Sequence, residues 1–242
     1  MRNIRAVALR TVKYNDSSSI LSAWSAELGR ISILMPAATS RESRRRRALT
    51  MPLSLFEGEA DLRPGREIIN MRDMRASVIA PTLTSNPVKV TLAMFLADVL
   101  ESLLRTDAMG DETLYAVIAD SVRALDSLRN PRALANFHLW FLYRLTVAMG
   151  IEPDVGDYAP HRVFDMRAAC YRPSAPAHTD WLTGAESAYP RTVSRMTART
   201  LARWSLTAAQ RSQALDLTIK YFALHNLPLT PLRTLPVLRT IL

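Results

Sequence analysis

The sequence predicts an α+β chain of more than one domain, a small five-stranded β-barrel followed by an all-α helical domain. Three observations lead there. From residue 4 to about 75 the apolar residues recur at every second position, in short runs broken by turn residues, which is how antiparallel strands read. After Pro81 the period lengthens to three or four, the spacing of helices. Nearly half the residues are apolar and the single cysteine, Cys170, excludes an internal disulfide, so a packed core must hold the fold.

The strands follow in order. Val7 and Leu9 alternate with Ala8 and Arg10 ahead of a polar turn at Asn15 to Ser19. Trp24 shares the next run with Ile20 and Ser22, and its size favours a place in the core. Ile31, Ile33 and Met35 alternate with Arg30, Ser32 and Leu34 after the turn-like Glu27-Leu28-Gly29. A connector, ATSRESRRRRALT, then carries Arg41, Arg44, Arg45, Arg46 and Arg47. Beyond it, Arg63-Pro64-Gly65-Arg66 puts Pro and Gly at the centre of a type II turn between LSLFEGEADL and EIINMRDM, which makes a hairpin. Five short strands with a long connector after the third suit a closed barrel of the OB kind; a sandwich needs more strands.

Asn86-Pro87 starts the first long helix, in which Val90, Met94, Ala97 and Leu100 or Glu101 recur at helical spacing. Asp111 caps DETLYAVIADSVRALDSL, and Asn130-Pro131 starts RALANFHLWFLYRLTVAM, which is apolar nearly all round and stops at Gly150. Residues 151–190 are rich in Pro, Asp, Tyr and His without a sustained period and read as an irregular excursion, with a short strand at Arg162 to Met166. Helical spacing returns at Val193 to Trp204 and again in TAAQRSQALDLTIKYFALHN, where Thr207 is the cap. The expected domains are therefore 1–80, the barrel, and 81–242, the helical domain with its excursion.

Thirty-one Lys and Arg against 22 Asp and Glu give a formal charge of +9, nearly all of it from arginine, whose planar fork suits phosphate or carboxylate. The N-terminal stretch is interrupted by charge every few residues, unlike a signal peptide, and no run approaches the ~20 apolar residues of a membrane span, so a cytoplasmic protein with no membrane partner is expected. There is no glycine-rich phosphate loop, no His-Glu-x-x-His and no Gly-x-Ser-x-Gly element, which argues against an enzyme.

The stretch ALRTVKYNDSSSILSAWSAELGRISILMPAA at 8–38, with its Ser25-Ala26-Glu27-Leu28-Gly29-Arg30 element, followed by the basic connector and PLSLFE at 52–57, resembles the RecO family of bacterial recombination mediators. YFALHNLPLTPLRTLPVLRTIL at 221–242 is similar to the C-terminal segment of family members from the Bacteroidetes. The resemblance implies an OB-fold and a helical domain in a nucleoid-associated protein of DNA repair and recombination. It further implies binding of single- and double-stranded DNA and annealing of complementary strands. With RecR as partner, it implies loading of RecA onto DNA coated by single-strand binding protein. Many relatives carry a four-cysteine zinc motif after the Gly-x-x-Pro that here is Gly150-Ile151-Glu152-Pro153, whereas this chain keeps only Cys170. His161, Asp165, Cys170 and His178 follow no structural zinc spacing, so no metal or other cofactor is expected.

On an OB-like barrel, a basic connector beside the binding face tracks a phosphate backbone, with Arg5, Arg10, Lys13, Arg30, Arg72 and Arg75 supplied by strands or strand ends of the same barrel. Tyr14, in a polar turn, is the candidate for base stacking. The resemblance adds an apolar pocket in the helical domain for the acidic tail of single-strand binding protein, with Arg132, Arg144 or Lys220 as its carboxylate contact. The competing expectation is an adaptor whose basic barrel grips an acidic protein, with DNA binding incidental.

Overall fold

The protein is described by a computed structural model covering residues 1–36, 48–63, 65–104, 109–229 and 231–241. Arg41, Arg44, Arg45, Arg46 and Arg47 lie outside the described residues. Strands β1 (Arg2–Asn15), β2 (Ser18–Ser25), β3 (Gly29–Pro36), β4 (Leu55–Asp61) and β5 (Ile68–Ala76) form a closed barrel in the order β1-β2-β3-β5-β4. Every pairing is antiparallel except the short β3–β5 closure, where Ser32 and Ile33 lie opposite Ile68 and Ile69. This is the five-stranded OB arrangement. Ile31, Ile33 and Met35 point inward as expected, but on β1 and β2 the inward parity is that of Ile4, Ala6, Ala8, Leu21 and Ala23, while Val7 and Leu9 are buried on the other face; the alanines suit a narrow bore. Trp24 has the opposite parity to Leu21 and Ala23, so it is buried, 1% exposed, on the barrel's outer face. Gly65 has φ 76°, and the Arg66 N–H donates to the Arg63 carbonyl at 3.2 Å, as the expected turn requires.

Helices α1 (Thr82–Ser85), α2 (Pro87–Leu103) and α3 (Glu112–Ser127) follow. The Asn86 side chain accepts from the N–H groups of Val88 and Lys89 at 3.0 and 3.2 Å, and Asp111 accepts from that of Leu114 at 3.0 Å, so both expected caps are formed. The buried face of α2 differs from the expected stripe. Leu92, Phe95, Leu96, Val99 and Leu100 are buried, while Met94 is 45% exposed. Because α2 packs on β1 and is apolar around most of its girth, a single stripe could not be picked from spacing alone.

The chain divides into two compact units, Met1–Ser127 with Pro231–Leu238, and Leu128–Thr230 with Arg239–Leu242. The change from strands to helices does fall near Pro81, but α1 to α3 group with the barrel, so compactness divides the chain later than secondary structure does. The returning segment is tied to α2 where the Thr234 N–H and hydroxyl donate to Asp98 Oδ2 at 3.1 and 3.0 Å.

In the second unit, α4 (Pro131–Ala148) is capped by Asn130, whose side chain accepts from Arg132 and Ala133 N–H groups at 2.9 and 3.1 Å, and it buries Phe137, Trp140, Phe141, Leu142 and Leu145. The excursion is more regular than expected: β6 (Val163–Asp165), β7 (Cys170–Arg172) and β8 (Trp181–Leu182) form a sheet in the order β7-β6-β8. Strands this short carry too few residues to show a period. α5 (Gly184–Ser187) and α6 (Tyr189–Ser194) precede a 3-10 turn, Leu201–Arg203, so the helix expected over Val193 to Trp204 stops early. Thr200 explains the break: its hydroxyl accepts from the Thr197 N–H at 3.0 Å, a local bond that competes with the helix. α7 (Ala208–Leu224) opens on the expected Thr207 cap, which forms a reciprocal box with Gln210 at 3.2 and 2.8 Å, and α8 (Leu235–Ile241) is the last element.

Candidate nucleic-acid interface

β1 is longer than the barrel needs. Ala6 to Leu9 are buried in succession, one face in the barrel and the other outside it, but every residue from Arg10 to Asn15 is exposed, so the end of the β1–β2 hairpin is a ribbon in solvent. Two register shifts bracket it, one between Ala8 and Arg10 and one between Lys13 and Asn15. Such bulges re-aim side chains, and the second contains Tyr14, 59% exposed. The hairpin turn is held by Asn15, whose Oδ1 accepts from the Ser17 N–H at 2.9 Å and from the Ser17 and Ser18 hydroxyls at 3.1 and 2.8 Å. Arg10 is exposed with no ion pair among the described residues; Lys13 meets Asp16 at 2.8 Å, a fully solvated pair that contributes little and exchanges readily.

The residues flanking the basic connector are anchored on this hairpin. Pro36 lies opposite Ser18, and beyond the connector the Thr11 hydroxyl donates to the Thr50 carbonyl at 3.3 Å.

Arg5 and Arg30 are differently occupied. Arg5 Nε pairs with Glu27 at 2.9 Å, its guanidinium also pairs with Glu112, and it lies 5.4 Å from the ring centre of Tyr115. The hydrogen bonds to Glu112 and then Glu27 push its pKa above the usual arginine value. Burial works to raise the Glu27 pKa, but it is outweighed by the backbone and side-chain bonds from Arg5 and the hydroxyl of Ser25, so that carboxyl titrates below its usual range. Arg30 donates to the carbonyls of Glu101 and Leu104 at 3.1 and 2.9 Å and pairs with the Glu101 carboxylate. Gly110 completes this joint, because a Cβ there would stand 2.3 Å from the Ala26 carbonyl oxygen. The Ser25-to-Arg30 element thus fastens the barrel to α2 and α3 within the first unit.

Arg72 and Arg75 sit on β5 opposite Glu59 and Glu57 of β4, and Arg75 Nε meets Glu57 at 2.6 Å. A groove of about 480 Å³ opens here, lined by Glu27, Glu57, Glu59 and Asp73 as well as Arg5 and Arg75. The described candidates thus separate into a solvated group on the ribbon, Arg10 without an ion pair among the described residues, Lys13 in an exposed pair with Asp16 and the uncharged Tyr14, and a group set among carboxylates, Arg5, Arg30 and Arg75 in ion pairs and Arg72 opposite Glu59. The Glu27, Glu101 and Glu112 partners have no signal in the sequence beyond the Ser-x-Glu spacing at 25–27.

In the second unit, a narrow cavity of about 40 Å³ is walled by Leu139, Tyr143, Phe164, Tyr189, Leu217 and Tyr221. Arg144 and Lys220 are sequence neighbours of its lining, but Arg144 packs 5.1 Å from the Trp140 ring centre and Lys220 pairs with Asp180 at 2.8 Å; Arg132 donates to the Ala202 carbonyl at 3.5 Å. His138 is buried on α4, and burial followed by the charge of Arg211 pushes its pKa down to about 3, which keeps it neutral. Among the described residues no three His, Cys, Asp or Glu side chains gather as metal ligands. Asp165 instead pairs with Arg172 at 2.7 Å and lies 3.3 Å from the His178 ring, while Asp180 takes Arg167 at 2.6 Å besides Lys220, so pairs with Arg and Lys hold the small sheet's loops. Among the described residues no helix is long and apolar enough to cross a membrane.

Comparison with known proteins matches residues 1–77 to the family described as recombination protein O N terminal and residues 84–235 to recombination protein O C terminal. The chain is 34% identical over 242 residues to the DNA repair protein RecO of Porphyromonas gingivalis, covering 98% of this chain and 97% of that one. It is 33% identical over 233 residues to the DNA repair protein RecO of Phocaeicola vulgatus (96% and 95% covered), and 29% identical over 234 residues to that of Bacteroides fragilis (96% of each). With a closed five-stranded barrel under the first match and a mainly helical region under the second, the chain belongs to the RecO family of DNA repair proteins.

Proposed function

We propose that this protein acts in DNA repair and recombination without catalytic turnover, by binding single- and double-stranded DNA on its barrel and annealing complementary strands. The observation that carries this reading is the β1–β2 ribbon, whose Arg10, Lys13 and Tyr14 are exposed and whose flank anchors both sides of the arginine-rich connector. Arg10, with no ion pair among the described residues, and Lys13, whose solvated pair with Asp16 exchanges readily, gain when phosphates replace their counterions, and they do so without reading sequence. Annealing needs two polyanions brought together, and such a surface lowers their repulsion. Arg10, Lys13 and Tyr14 are the primary contacts, with Arg41 and Arg44 to Arg47 beside them; Arg5, Arg30, Arg72 and Arg75 act at most through the local field. With RecR, the protein loads RecA onto DNA coated by single-strand binding protein, whose acidic tail docks at the tyrosine-lined cavity of the second unit near Arg144 or Lys220, while Arg132, no sequence neighbour of the cavity's lining, is the least suited of the three. The site of action is the cytoplasmic nucleoid.

The test is oligonucleotide binding and strand annealing across a salt series. Log affinity should fall linearly with log salt, by about 0.7 for each phosphate neutralised on single strands and about 0.9 on duplex. An adaptor for acidic proteins would ignore the naked oligonucleotide, and that result would remove the DNA reading.

A further inference from the structure

A second group of basic residues lies in the second unit and shares no residue with the barrel site. From Ser187 to Leu215 the sequence has no Asp or Glu, yet it carries Arg191, Arg195, Arg199, Arg203 and Arg211. Arg195, Arg199 and Arg203 are exposed, four residues apart, with Met196 and Leu201 buried between them and Val193 just before them as anchors. The backbone winds through successive turns, with the Thr200 and Leu201 N–H groups donating to the Thr197 carbonyl and the Arg203 N–H to that of Thr200. From Arg199 to Arg203, four residues so wound advance about 6–8 Å, roughly two phosphate steps along a strand. Exposed Arg132 joins them from the start of α4, its Nη1 donating to the Ala202 carbonyl at 3.5 Å beside Arg203. The stretch is fixed to α4 by Asn136, whose Nδ2 donates to the Leu201 and Trp204 carbonyls at 3.0 and 2.8 Å.

Every described side-chain carboxylate of this unit is engaged elsewhere. Asp157 pairs with Arg162, Asp165 with Arg172, Asp180 with Arg167 and Lys220, and Asp216 with Arg239. Glu152 accepts from the Tyr143 hydroxyl, Asp154 from the Gly156 N–H and Glu186 from Gln213. Arg195, Arg199 and Arg203 have no carboxylate partner among the described residues. Self-repelling arginines concentrated on an anchored surface favour an external polyanion, and the guanidinium fork favours phosphate.

We propose that Arg195, Arg199 and Arg203, with Arg132, form a second nucleic-acid site that holds the phosphate backbone of a strand independently of the β1–β2 ribbon. The proposal rests on the DNA-binding reading for its ligand class alone. A nucleic acid fits better than an acidic peptide with an apolar end, because none of these four residues lines the unit's apolar cavity.

The experiment uses the full chain as wild type, as Arg195→Ser/Arg199→Ser/Arg203→Ser, as the corresponding triple Lys variant, and as Arg10→Ser/Lys13→Ser. Each is titrated with a short single-stranded oligonucleotide across a salt series, with strand annealing and melting curves in parallel. Wild type should take two short strands per chain. The triple Ser variant should take one, with the summed salt slope lower by up to about 2 and slower annealing, and the triple Lys variant should restore both. The Arg10/Lys13 variant should retain the second site. An unchanged stoichiometry and slope in a folded triple Ser variant would overturn the second site while leaving the barrel reading intact. If that variant loses binding of a Glu-rich peptide and keeps both strands, the surface is a peptide site and the proposal is again overturned. If the Ser variant melts early, the Lys variant decides: a Lys variant that folds but binds one strand shows that charge alone is not the ligand's handle and overturns the phosphate reading. No binding of oligonucleotide by wild type would remove both readings together.

Discussion

The β1–β2 and β4–β5 hairpins belong to one barrel and carry similar numbers of basic residues, yet they present opposite surfaces. On the first, Arg10 and Lys13 stand in solvent on a ribbon whose described part has one carboxylate, Asp16. On the second, Arg75 meets Glu57, Arg72 lies opposite Glu59 and Arg63 pairs with Asp61. Cross-strand opposite charges stabilise a sheet modestly and consume the cation that a phosphate would use. On the DNA-binding reading proposed above, a phosphate backbone would meet the first hairpin and not the second, although the two carry similar numbers of basic residues.

The largest break in this comparison comes from the connector. Arg44→Ser through Arg47→Ser together should lower the slope of log affinity against log salt by about 0.7 for each phosphate no longer neutralised on single strands and about 0.9 on duplex, with annealing falling alongside. An unchanged slope in a normally melting variant would confine the barrel site to the ribbon. Next, Arg10→Ser/Lys13→Ser should flatten the slope by up to two such phosphates while Arg72→Ser/Arg75→Ser leaves it unchanged; equal effects from the two pairs would erase the distinction between the hairpins. Tyr14→Ala should weaken single-strand binding by about 1–3 kcal/mol, as loss of a stacked base does, and spare duplex binding. A loss shared by both forms would make Tyr14 a support of the hairpin. The smallest effect is a gain: Glu57→Gln releases Arg75 and should steepen the single-strand slope by up to about 0.7. If nothing is gained, the position of the hairpin, and not its compensation, keeps DNA away.

Much of this was legible in the sequence, for local reasons. The barrel strands follow from alternation, and the caps at Asn86, Asp111, Asn130 and Thr207 follow from short-range chemistry, because each bonds within three residues of itself. The fate of Arg5 and Arg30 was hidden, since Glu112 lies 107 residues from the one and Glu101 lies 71 from the other. No local pattern announces a partner at that distance. The bulge at Tyr14 and the early stop of α6 were hidden for another reason: each depends on backbone bonding that spacing alone does not encode.

The return of Pro231–Leu238 to the first unit has a consequence for synthesis. A ribosome delivers the barrel and α1 to α3 first, then all but the last few residues of the second unit, and only then the segment whose Thr234 bonds to Asp98. The first unit therefore starts to form before the second and receives this fastening only after most of the second has been made. While the nascent chain lengthens, the Asp98 carboxylate has to stay solvated or find a temporary donor. Any release of the chain before Thr234 leaves a barrel able to close its strands but lacking this fastening on α2. Loss of the residues around Thr234 would then be felt in the unit that carries the barrel.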